Sequence, residues 1–85
     1  MKTWWLSFAD GTLPTGQQFL GACIVDATDL ASAVSISHRV GVNPGGEVKI
    51  GALPFPVADG YKNRLFDKEE ATRISTMSPT EMMAS

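Results

Sequence analysis

The side chains of this 85-residue chain that can do acid–base or nucleophilic chemistry are few and scattered. There is one histidine, His38, and one cysteine, Cys23. A closed zinc site built on them would need carboxylates or a second subunit to complete its ligands. A Ser–His–Asp triad would have to use His38, and no G-x-S-x-G elbow is present to offer a serine. His38 stands one residue before Arg39 near the end of an expected helix, where an imidazole suits the negative end of the dipole, so it reads as a helix-surface residue. Cys23 lies inside the apolar run Phe19–Val25 and reads as a small buried hydrophobe with no disulfide partner in the chain. Three carboxylates, Asp10, Asp26 and Glu47, fall at expected strand ends where two can approach. Asp10 suits a turn and Asp26 a helix start, which accounts for both without catalysis. The chemistry therefore favours a protein that binds over one that turns over substrate, with no cofactor, and a hydrolase using Asp10, Glu47 or His38 comes last.

Binding chemistry is better represented. The stretch "YKNRL", residues 61–65, offers an aromatic plane, two cations and an amide within one loop. Lys62, Asn63 and Arg64 suit a planar anionic molecule, because a guanidinium pairs bidentately with phosphate or carboxylate. Trp5 follows Trp4, so in a strand the two rings take opposite faces, and only one can enter a core beneath a single helix. If Trp4, Leu6 and Phe8 face that core, Trp5 must be covered by other protein or be open to stacking. The third candidate is "VGVNPGGEV", residues 40–48, where Asn43, Gly45 and Gly46 can present backbone amides to an anion. It fails the phosphate-loop patterns, since its glycines follow a helix and precede a strand. Its simpler role is to end the helix at Gly41 and reverse the chain.

The elements that must position these residues follow from periodicity. Residues 3–9 alternate and carry aromatics, which predicts a strand, and residues 18–25 predict a second, joined to it as an antiparallel hairpin. A helix is expected over about residues 28–40, capped by Asp26 or Thr28 with Asp29 in the first turn, burying Leu30, Ala33, Val34 and Ser37. "EVKIGAL" alternates again and predicts a third strand, stopped by Pro54 and Pro56. Residues 54–64 read as loop. Asp67 with Glu70 gives a capping-box-like start to a second helix, with Phe66 placed to staple onto Ala71. Glu69, Glu70 and Arg73 suggest a solvated, ion-paired helix face. The order β-β-α-β-α predicts an α+β sandwich, one main helix packed on an antiparallel or mixed three-stranded sheet. Residues 1–75 form the expected single domain and residues 76–85 a flexible tail.

Composition bounds the partners. Hydrophobic residues make up 44% and charged residues 19%, a globular balance. A chain this short buries only about 60–65% of its unfolded surface, so its core is marginal and self-association is an expected source of stability. The two sheet edges left open point the same way. A net charge of −2 argues against a nucleic-acid partner, and no sustained apolar stretch suggests a membrane span or a signal peptide, so cytoplasmic residence is expected.

The strings "WWLSFAD", "FLGACIVDA", "NPGGEV" and "NRLF", in this order, resemble a group of small bacterial and phage proteins with no assigned function. The resemblance covers roughly residues 4–70. It implies a compact cytoplasmic domain of bacterial or phage origin and carries over no active site. The first functional expectation is a non-enzymatic homo-oligomer holding an anionic or nucleotide-like small ligand near a subunit interface. Trp5 would stack, Lys62 and Arg64 would neutralise charge, and the Asn43–Gly46 amides would bond the ligand. In a phage, such a protein would serve to sequester a host defence signal. The second is an interaction or structural subunit that docks through an exposed edge strand and Trp5.

Overall fold

A computed structural model describes residues 1–83. Its elements are β1 (Lys2–Ala9), β2 (Phe19–Ala27), α1 (Leu30–Arg39), β3 (Glu47–Leu53), a single 3-10 turn (Asp59–Tyr61), α2 (Lys68–Ser75) and α3 (Pro79–Met83). The architecture is the expected α+β mixture in the order β-β-α-β-α, with α3 added. The sheet is antiparallel throughout, in the order β2-β1-β3.

The aromatic strand occupies the centre because it is apolar on both sides. Trp4, Leu6 and Phe8 face α1 and form one core with Cys23, Val25, Ala33 and Val42. The Trp4 indole N–H, which would otherwise be orphaned in this core, donates to the carbonyl of Ala27. Trp5 faces the other way, toward a second core of Ala22, Ile24, Val57, Phe66, Ala71 and Ile74. Helices therefore cover both faces of the sheet, α1 on one side and α2 on part of the other. Strand β2 is buried almost throughout, which is why "GACIV" lacks polar alternation.

Helix α1 starts later than expected. Asp29 is the cap, its carboxylate accepting from the Ser32 amide, and Asp26 is instead the last-but-one residue of β2. Ala33 and Ser37 are buried, whereas Leu30 is exposed at the first turn. Helix α2 is capped by Asp67, which accepts from the Glu70 amide, and Phe66 and Ala71 both lie in the second core, as a hydrophobic staple requires. Glu70 pairs with Arg64 rather than with a residue of its own helix.

One of the two sheet edges is closed. Phe66 exchanges backbone hydrogen bonds with Ala22, at 2.7 and 3.1 Å, and the Asn63 amide donates to Ile24 at 2.8 Å. Residues 63–66 thus run along the outside of β2, with Asn63 in a left-handed conformation (φ 59°) that turns the chain onto it. Gly21 permits this approach, since a Cβ there would lie 2.6 Å from Leu65. Among the described residues only β3 keeps a free edge. Residues 76–83 were expected to belong to a flexible tail. They include α3, whose Met82 is buried in the second core and accepts a backbone bond from Ala58. Residues 84 and 85, the end of that expected tail, lie outside the described residues. Among the described residues no helix is long and apolar enough to cross a membrane.

Candidate functional site around Trp5

The candidate ligand residues fall into separate places. Asn43, Gly45 and Gly46 form a self-contained corner. The Asn43 side-chain oxygen Oδ1 accepts from the Gly45 backbone amide at 2.8 Å, and its side-chain Nδ2 donates to the buried Ser37 hydroxyl at 3.0 Å. Gly46 (φ 77°) packs against Ala9, so closely that a Cβ would sit 2.5 Å from the Ala9 carbonyl oxygen. The corner is therefore fixed at the Ala9 end of the sheet, four residues along β1 from Trp5 and roughly 13 Å away at the usual strand rise.

Lys62 is near the opposite end. Its ammonium pairs with Asp26 at 2.9 Å and Asp59 at 3.4 Å, and Asp26 also accepts from Thr3 at 2.8 Å. Partial burial works to raise the Asp26 pKa, but the hydrogen bonds from Lys62 and Thr3 and the charge of Lys62 outweigh it and hold the carboxyl below its ordinary value. The same bond to Asp26 raises the Lys62 pKa. This is an internal clasp between the 3-10 turn and β2. Asn63 uses its backbone to cover β2. Arg64 lies over the Phe66 ring, 5.4 Å from its centroid, and bonds Glu70 at 3.2 Å. Of the three loop residues only Arg64 comes near the tryptophan, through Phe66, which stacks on Trp5 with centroids 6.2 Å apart.

Trp5 itself is half-buried and separates two clefts. The first, of about 290 Å³, is lined by Trp5, Ser7 and Phe19 from the sheet and by Lys68, Ala71, Thr72 and Ser75 from α2. Lys68 is its one charged lining residue, and no carboxylate lies within ion-pair distance of that ammonium among the described residues. The second, of about 330 Å³, has Trp5, Leu53, Phe55, Ile74, Met77 and Met82 along its walls and is almost wholly apolar. Helix α2 crosses the β2 half of this face and leaves the β3 half open. Lys49 and Gly51 lie exposed on that open half, and Gly51 is the cross-strand neighbour of Trp5.

Lys68, Ser7, Met77 and Met82 were not singled out from sequence. A signal for the methionines was available. An uncovered Trp5 face needs apolar residues, and after β3 few remain besides Phe55, Val57, Phe66, Ala71, Ile74 and the methionines. Nucleophilic chemistry is poorly served. Burial pushes the Cys23 thiol up to about 11, far from the thiolate form. No group of three or more His, Cys, Asp or Glu side chains is placed to hold a metal ion among the described residues. No known protein family, curated protein or solved structure matches this chain.

Proposed function

We propose that the protein is a non-enzymatic, self-associating binding module that holds a planar anionic small molecule, of nucleotide type, in the groove between Trp5 and α2. The observation that carries this reading is the half-buried indole beside a cleft whose one charged lining residue, Lys68, has no ion-pair partner among the described residues. An aromatic plane gives stacking area, Lys68 gives a cation, and Ser7 gives a hydroxyl. Relative to the sequence-based expectation, the cationic role passes from Lys62 to Lys68. Lys62 is held by two carboxylates, and releasing it would cost the clasp with Asp26. Arg64 can contribute at the far side of Phe66 only by leaving Glu70. A cytoplasmic protein of bacterial or phage origin that sequesters a signalling nucleotide would use such a groove without turnover.

A thermal-shift panel of mono-, di- and cyclic nucleotides tests the reading. A rise in Tm with at least one of them, lost in Lys68→Ala and retained in Lys62→Ala, is expected. No shift with any phosphorylated ligand would contradict it. A second reading, docking on another protein through Trp5 and the β3 edge, is favoured by the free edge of that strand. It is distinguished by a partner complex that Trp5→Ala disrupts.

A further inference from the structure

The hydrogen bonds on β2 fix which polar groups of β3 are unused. The N–H and C=O groups of Ala22, and the C=O of Ile24, point away from β1, because they bond Phe66 and Asn63. Alternate residues of a strand point to alternate sides, so Cys23 and its neighbours at odd positions bond the even residues of β1. The odd residues of β1 then bond β3, through Trp5 with Gly51 and Ser7 with Lys49. Val48, Ile50 and Ala52 are left with both backbone groups directed outward, and among the described residues β3 has no neighbour on that side. This strip is finite. Pro54, the next outward position, has no N–H, and Gly46, the preceding one, turns away at φ 77°.

We propose that this strip pairs with the same strip of a second copy, antiparallel about a two-fold axis, with Ile50 opposite Ile50. That register uses all three outward residues of each copy, setting Val48 against Ala52 twice. It continues the sheet through Val48 and Ile50, which already pack on the first core. It also disfavours growth beyond two copies, since the middle of the outer β2 edge, at Ala22 and Ile24, is already bonded to residues 63–66.

Side-chain fit selects the same register. On the Trp5 face, Lys49 of each copy comes to lie opposite Gly51 of the other. The space above Gly51 is empty to 4 Å, and its other neighbour in the row is Trp5. The second copy's Lys49 therefore reaches across the glycine toward the indole, fills the open half of the face and adds a second cation to the groove. A register shifted one way puts Lys49 opposite Lys49, and shifted the other way Gly51 opposite Gly51, leaving the slot empty.

This interface rests on the reading of the chain as self-associating, and ligand-free protein tests it. Light scattering after size exclusion should give twice the 9.1 kDa chain mass. Gly51→Lys puts like charges opposite each other twice and should weaken the dimer by about tenfold, whereas Gly51→Glu meets Lys49 and should keep or tighten it. Ala52→Pro removes an N–H that only the interface uses and should also weaken it, with unchanged circular dichroism. A monomer at every concentration would overturn both the interface and self-association. A dimer indifferent to these substitutions, or tightened by Gly51→Lys, would overturn this interface and leave self-association standing. Ligand binding at Trp5 is read separately by titration.

Discussion

Trp5 stacks on Phe66, with the ring centroids 6.2 Å apart and the planes inclined by 19°. Phe66 is fully buried, carries Arg64 over its ring and exchanges backbone bonds with Ala22. One ring thus anchors the indole to the segment that closes the β2 edge. Trp5 is positioned by the same residues that protect the sheet, and its remaining surface faces the two clefts.

Phe66→Ala should destabilise the fold by about 3–5 kcal/mol, because it removes a fully buried ring and leaves a cavity beneath α2. In a domain this small that loss is comparable to the whole stability. Urea unfolding should show it, and Phe66→Leu should recover a large part.

The Asp26–Lys62 clasp makes a definite pH signature. The Asp26 pKa is lowered from 3.8, so its contribution is complete above that value and disappears as pH falls through the lower folded-state value. The Lys62 pKa is raised from 10.5, so its contribution is complete below that value and is lost as pH rises through the higher folded-state value. Asp26→Asn should cost about 1 kcal/mol at neutral pH, near the upper end for exposed pairs, since the Asp26 side chain is 36% exposed. It should cost little in strong acid, and the difference between the two stability–pH curves checks the sign.

The glycine corner predicts an ordered pair of effects. Gly45→Ala should cost about 1–2 kcal/mol, for left-handed backbone with open space around it. Gly46→Ala should cost more, since the added methyl also meets the Ala9 carbonyl oxygen at 2.5 Å. Thermal denaturation of both variants decides this, and equal effects would mean that the contact with β1 is unimportant.

Cys23 should resist alkylation at neutral pH in the native state, since burial both shields its thiol and raises its pKa to about 11. Labelling should appear only with denaturant and follow the unfolding curve.

The sheet was legible in the sequence because its strands carry unmistakable alternation or apolar runs. Residues 47–53 were placed at both ends, since Gly46 and Pro54 punctuate them. The Asp67 cap and the Phe66 staple were also legible, being local patterns. The site was less so. Lys62 and Arg64 looked available because their partners, Asp26, Asp59 and Glu70, are revealed only by the fold; Asp26 is 36 positions away in the chain. Asp26 was expected at a helix start, but the strand runs two residues further and Asp29 caps better. The second core was only partly read, because it is assembled from short pieces: Val57, Ile74 and Met82, none in a long periodic run. Covering the β2 edge by residues 63–66 leaves no local pattern beyond Gly21 and Asn63.

The central claim, that the Trp5 groove holds a planar anion, is tested most directly by the fluorescence of Trp5 alone. Trp4→Phe leaves one indole, because the chain has two tryptophans. Titration of that variant with nucleotides should give saturable quenching for at least one of them. Adding Lys68→Ala should weaken it by about tenfold or more, as expected for a charged hydrogen bond. Emission unchanged by every phosphorylated ligand, in a variant that remains folded, would contradict the account.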